Sequence, residues 1–194
     1  MTEYPPEVRN RLLGTPEQNA ASLVEEPPRG WRPVVIEDYD PVWPQRFAAV
    51  AADLRRILGD RILALEHVGS TSVPGLSAKP IIDIDLTVAD SDDEPAWLPD
   101  LVAAGFHLIL REPWWYGHRM LVDTPEDLHL HVWPANAPEP VRHRLLRDWL
   151  RTHPEDRLLY DETKRRLSRD LPDGDYGMAK CEVIDDILSR VFTS

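Results

Sequence analysis

Asp83 and Asp85 lie two residues apart in Ile81-Ile-Asp-Ile-Asp-Leu-Thr-Val88, the strongest strand signal in the chain. Side chains alternate along a strand, so Ile82, Ile84, Leu86 and Val88 take one face, and Ile81, Asp83, Asp85 and Thr87 the other. The two carboxylates then project together from Cα atoms roughly 6.5–7 Å apart. Neighbouring carboxylates repel unless a cation lies between them. Mg²⁺ suits such a pair, because it is hard and is held by few carboxylates together with substrate phosphates. The plain alternative is the solvated face of an antiparallel strand. Asp is disfavoured in strands, however, so two of them in an aliphatic run call for a reason.

Upstream stands His67-Val-Gly-Ser-Thr-Ser72. A Gly-Ser turn directly after a strand lets backbone N–H groups approach a phosphate, with hydroxyls as further donors; read alone, it is an ordinary turn at a strand end. Downstream, Leu128-His-Leu-His-Val-Trp133 places His129, His131 and Trp133 on one face and Leu128, Leu130 and Val132 on the other. The His129-x-His131 pair also admits a transition-metal reading, although no third ligand follows at diagnostic spacing.

The order strand, Gly-Ser, connection, strand with Asp-x-Asp resembles the nucleotidyltransferase superfamily. More closely, Glu66-His-Val-Gly-Ser-Thr-Ser-Val-Pro-Gly-Leu-Ser-Ala-Lys-Pro-Ile-Ile-Asp83 resembles the GrpB family. Tyr39-Asp-Pro-Val-Trp43, Arg111-Glu-Pro, Leu130-His-Val132, Arg147-Asp-Trp-Leu-Arg-Thr-His-Pro-Glu-Asp156 and Tyr176 … Ala179-Lys180 extend the likeness from about Pro33 to the C-terminus. The resemblance implies a polymerase-β-like fold, α+β with a mixed sheet, carrying a C-terminal helical cap. It names no substrate; family members also occur fused to dephospho-coenzyme A kinases, which points to nucleotide chemistry.

The reaction implied is transfer of a nucleoside monophosphate from an NTP, with ATP the first candidate, to a small-molecule or protein acceptor. Asp83 and Asp85 would hold Mg²⁺ or Mn²⁺. Gly69, Ser70 and Thr71 would cradle the phosphates, and Lys79, inside the central motif, would contact the triphosphate. Arg111, Arg119, Arg142, Arg144 and Lys180 are helpers, each arginine having surface solubility as its plainer role. His67 would buttress the Gly-Ser turn. Trp114-Trp115-Tyr116 would stack on a base or acceptor, or else form a hydrophobic edge under the cap. The chain departs from the superfamily in one respect. The later strand that usually supplies a third carboxylate carries none at its centre, and His131 is the substitute as ligand or base, unless it is a histidine bonded within the core. Glu126 and Asp127, just before that strand, are the reserve. A nucleotide-sensing module that binds without catalysis is the competing class, and a His-ligated hydrolase the third.

Residues 1–32 form a proline-rich extension with one short helix from about Pro16 to Glu25, capped by Thr15 and Gln18. The main domain covers 33–194, with a sheet core in 33–135 and helices in 136–194. Phe47, Val50, Leu54, Ile57 and Leu58 recur at helical spacing from Trp43 to Leu58. Strands are expected at 61–68, 81–88, 106–110, 119–122 and 128–133. Helices are expected at 93–104, 140–152, 154–169 and 176–192.

Composition bounds the rest. The 194 residues are 42% hydrophobic and 29% charged, enough to bury a core and coat it. The net charge of −12 repels phosphate backbones and speaks against general nucleic-acid binding. Lys79, Lys164 and Lys180 are the only lysines, and Cys181 the only cysteine, so no internal disulfide forms. No run approaches the roughly 20 apolar residues of a membrane helix, and the N-terminus lacks a signal pattern. The expectation is a cytoplasmic protein.

Overall fold

The computed structural model describes residues 4–28, 33–125, 127–171 and 173–193, with the side chains of 173–175 excepted. Glu126 lies outside the described residues. The elements in chain order are α1 (Pro6–Arg9), α2 (Pro16–Ala21), α3 (Trp43–Leu58), β1 (Ala64–Val68), β2 (Ile82–Val88), α4 (Leu98–Ala103), β3 (Phe106–Glu112), β4 (His118–Asp123), β5 (Leu128–Pro134), α5 (Glu139–Thr152), α6 (Pro154–Asp170) and α7 (Asp173–Val191). Three-residue 3₁₀ turns occupy Gly59–Arg61, Ser70–Ser72 and Glu94–Ala96. The protein is α+β, with one five-stranded mixed sheet in the order β1-β2-β5-β4-β3. Strands β2 and β5 are parallel; the other neighbours are antiparallel.

Alternation in β2 and β5 is as the sequence predicts. Ile82, Ile84, Leu86 and Val88, with Leu128, Leu130 and Val132, enter one core with Leu54 and Leu58 of α3 and Leu101 of α4. Burial of that aliphatic face turns every second residue of the central strands to the opposite side. There a second apolar cluster, with Leu150 of α5, Tyr160 of α6 and Ile187 of α7, joins the last three helices to Val73 and Leu76 of the connection after β1. The helical part therefore sits over the polar face of the sheet.

Several boundaries move for local reasons. The expected helix at 93–104 is split at Trp97, a buried residue with φ −138°, between two segments that each begin with a proline in the first turn. Residues 59–61 turn as 3₁₀ before β1, which delays that strand. Helix α2 has the expected Thr15–Gln18 capping box but stops at Ala21. Beyond it the chain pairs with the outer strand β3, with a bridge of Leu23 to Leu110, Arg111 N–H donating to Ser22 O and Val24 N–H to Ile109 O. Buried Arg142 of α5 ties α1 down by donating to the carbonyls of Val8 and Arg9. Among the described residues, no helix is long and apolar enough to cross a membrane.

Candidate functional site

The parallel register of β2 and β5 sets Asp83 beside His129, Asp85 beside His131 and Thr87 beside Trp133. These side chains share the face covered by α5–α7, and a cavity of about 220 Å³ lies between. Gly69, Ser70, Asp83 and His131 line it from the sheet side. His143 and Arg147 of α5, Tyr160 of α6 and Lys180 of α7 line it from the helices, and Trp115 closes one side. The cavity is below the about 300–1,000 Å³ usual for whole ligands, so it suits the reacting end of one.

Gly69 and Asp83 pack closely against each other. Gly69 has φ +67° and ψ −175°, a conformation open in practice to glycine alone. A Cβ at this position would stand 2.2 Å from Asp83 Oδ2. The turn after β1 thus lies directly on the carboxylate. Ser70 lines the cavity together with Tyr160. Thr71 points away from the cavity: it is buried, with Oγ1 3.1 Å from His67 Nε2. His67 stacks on Phe47 and buttresses the turn as expected; burial pushes its pKa down to about 4, against the pull of Asp83.

The two aspartates have different surroundings. Asp83 is part-exposed to the cavity, with Oδ1 3.3 Å from His129 Nδ1 and 3.9 Å from His131 Nε2. Burial alone would raise its pKa, but the hydrogen bonds and charge of the two histidines outweigh burial and hold it far below the usual carboxylate range. Asp85 is 1% exposed. Its Oδ1 accepts from the Trp133 indole at 2.9 Å, and its Oδ2 lies 2.8 Å from His143 Nδ1. Burial opposes ionisation of Asp85; His143, then His131 and Trp133, overcome it, and the pKa is lowered. His143 is shifted upward: burial works against the charged form, and Asp85 prevails. The carboxylate repulsion expected from Asp-x-Asp is thus met by imidazoles and an indole, with His131 acting on both aspartates.

Behind His131 runs a chain of titratable groups. His131 Nδ1 is 2.9 Å from His118 Nε2, and His118 Nδ1 is 2.6 Å from Glu112 Oε2. His118 is buried and its pKa is driven well down by that burial, then by His131. Burial raises Glu112 to about 7, with His131 opposing. Sequence reasoning assigns no role to His118, Glu112 or His143. The Arg111-Glu-Pro motif contains Glu112, yet nothing in the spacing connects residue 112 to 131; strand β4, lying between β3 and β5, does so.

Other expected contacts fall elsewhere. Lys79 lines a separate cleft with Pro33, Val35 and Glu37, because the chain before it pairs backbone to backbone with Glu37. Lys180, 4.6 Å above the Tyr176 ring, lines the cavity instead. Arg111 and Arg119 pair with Glu94, and Arg119 also with Asp92. Arg142 pairs with Asp185. Asp127 pairs with Arg46 at 3.3 Å. Of the aromatic triplet, Trp115 alone lines the cavity, edge-on to Trp133 at 5.1 Å; Trp114 donates to Ser22, and Tyr116 faces another cleft.

A family model described as GrpB protein matches residues 33–190. A UPF0157 protein of Halalkalibacterium halodurans is 43% identical over 159 residues, covering 81% of this chain and 82% of that protein. One of Streptomyces coelicolor is 41% identical over 159 residues, covering 80% and 82%. The crystal structure of conserved protein GrpB from Enterococcus faecalis superposes with a TM-score of 0.73 at 31% identity, over 82% of this chain and 98% of that one.

Proposed function

The chain belongs to the GrpB family, and we propose that it acts in the cytoplasm as a nucleotidyltransferase, moving a nucleoside monophosphate from an NTP, ATP first, to a small-molecule or protein acceptor with Mg²⁺ or Mn²⁺. The observation that carries this reading is the seating of the Gly69-Ser70 turn on Asp83, across the cavity from Lys180. Backbone N–H groups of a glycine turn, a serine hydroxyl and a lysine together recognise phosphate. A carboxylate beside them is the place for the cation that accompanies a triphosphate. The net charge of −12 favours a small or protein acceptor over a nucleic acid.

In this reading the phosphates lie along Gly69, Ser70 and Lys180, a set that replaces Lys79 and Thr71 of the sequence expectation. The acceptor oxygen bonds to the α-phosphorus, the α–β P–O bond breaks, and pyrophosphate leaves. The acceptor's proton goes to His143 Nε2, since Asp85 engages Nδ1 and fixes the ring. A divalent cation supplies charge neutralisation of the phosphates. Of the two carboxylates Asp83 is assigned the cation, because Asp85 is buried and each of its oxygens already has a partner in Trp133 or His143. Asp83 is the carboxylate open to the cavity.

A second reading, a nucleotide-binding module without turnover, is favoured by that same engagement of Asp85. One experiment separates them: pyrophosphate release from each NTP with Mg²⁺ or Mn²⁺, against fractionated cell extract as acceptor source. Release that depends on one fraction, and that falls about 10²-fold or more in His143→Gln with ATP affinity retained, supports transfer. Tight ATP binding with no release from any fraction supports the binding module and overturns transfer.

A further inference from the structure

Asp83, His129 and His131 each present one ligand atom to a common space, and the three atoms lie within 4.8 Å of one another. All three residues are part-exposed, on the cavity side of neighbouring parallel strands. Tetrahedral metal bonds of about 2.0–2.2 Å put ligand atoms roughly 3.4 Å apart. The 3.3 Å and 3.9 Å separations from Asp83 Oδ1 are close to that span, and the third lies within 4.8 Å, so side-chain adjustments of about 1–1.5 Å complete it.

The donor set decides which cation fits. Two imidazoles and one carboxylate suit first-row transition metals, whereas Mg²⁺ prefers an all-oxygen shell. The outer contacts agree. A histidine ligand usually has its far ring nitrogen hydrogen-bonded, which fixes the tautomer. His131 has this through Nδ1, in the chain to His118 and Glu112. His131 Nε2 is left facing the Asp83 carboxylate at 3.9 Å, longer than a good hydrogen bond and wide enough for a cation bound to both. Three protein ligands with a side open to a cavity match catalytic metal sites, not closed structural ones.

We propose that Asp83, His129 and His131 hold a transition-metal dication of the Mn²⁺ to Zn²⁺ series, with Glu112 and His118 as its outer support. The inference rests on the reading of this cavity as a metal-dependent site and deepens it by naming the metal class; Asp85 is left to His143.

The test is titration of the metal-stripped full chain with Co²⁺, followed by its visible absorption, then challenge with Zn²⁺ and with a large excess of Mg²⁺. One equivalent of Co²⁺ should bind, be displaced by one equivalent of Zn²⁺ and resist Mg²⁺. His129→Ala and His131→Ala should each weaken Co²⁺ binding at least tenfold, while His107→Gln, a histidine paired with Glu25 away from the site, should leave it unchanged. Failure of the wild type to bind Co²⁺ or Zn²⁺, or displacement of Co²⁺ by Mg²⁺, overturns the proposal whatever the folding of the variants. Parallel pyrophosphate assays separate the two readings. Undiminished Mg²⁺-supported release in both histidine variants sinks the three-ligand site and keeps the transfer. Co²⁺ binding at the site with no NTP turned over keeps the metal and sinks the transfer.

Discussion

Gly69 and Asp83 compete for the same space: the carboxylate lies where a side chain on residue 69 would begin, with Asp83 Cγ 2.9 Å and Cβ 3.0 Å from that point. The contact includes the Cβ of a short side chain on a central strand, so rotating the Asp83 carboxylate toward the cavity does not clear it fully. Gly69→Ala therefore meets both the collision and the strain of φ +67°. The strain alone costs about 1–3 kcal/mol. The expected result is a lowered urea midpoint together with loss of Co²⁺ binding; an unchanged midpoint would show that Asp83 swings away freely.

Lys180 and Lys79 make opposite predictions. Lys180 lines the cavity from α7 and Lys79 a different cleft. Lys180→Ala should weaken ATP binding about tenfold or more, the worth of a charge-assisted hydrogen bond, and leave adenosine within twofold. Lys79→Ala should change neither. Calorimetric titration of both variants with both ligands decides the matter, and equal losses for ATP and adenosine in Lys180→Ala would remove it from phosphate recognition.

Glu112→Gln keeps the shape of the group behind His118 and removes its charge. The support of His131 weakens, and Co²⁺ affinity should fall about 10–100-fold, the usual effect of an outer-shell change. Competition against a chromophoric chelator measures it. Affinity equal to wild type would mean that the Glu112–His118–His131 chain does not tune the ligand.

Lys164 is 1% exposed, donates to the Ser77 carbonyl and lies 4.8 Å from the Tyr160 ring. Burial, then repulsion from Lys180, lowers its pKa from 10.5 to about 7. Between these values the unfolded chain binds the extra proton, so stability rises as pH rises through the window and is lost as pH falls toward 7. The full contribution is on the order of a few kcal/mol. Urea midpoints between pH 7 and about 9.5 should climb in the wild type, and the slope should shrink in Lys164→Met. That upper limit stays below the ordinary tyrosine pKa of about 10, where Tyr160 and Tyr176, both raised by burial, add an opposite slope. Identical slopes in the two proteins would refute the assignment.

The parts of this site legible in the sequence were those written by strand periodicity. Alternation in Ile82–Val88 and Leu128–Trp133 put the aspartates, the histidines and Trp133 on one face, and they meet there. Periodicity also set α3 at Trp43–Leu58. What one element cannot reveal is its partner across the fold. His143 reaches Asp85 from a helix 58 residues on, and Glu112 reaches His131 only through a strand lying between. Lys79 misled for the same reason: nearness in sequence to Asp83 counted for less than the pairing of Ala78 with Glu37, which carries it to another cleft.

Strand β3 is an outer strand of the sheet, and Ser22 and Val24 occupy its open hydrogen-bonding side. The family-matched region starts at residue 33, so this seal comes from the extension preceding it. A chain cut back to residue 33 would bare Ile109 O and Arg111 N–H on a strand whose neighbours Leu108 and Ile109 are buried and apolar. Such an edge is a template for another copy of itself. Trimming the protein to its family-matched domain should therefore yield material that pairs edge to edge and precipitates, seen as a rise in light scattering that the full chain does not show.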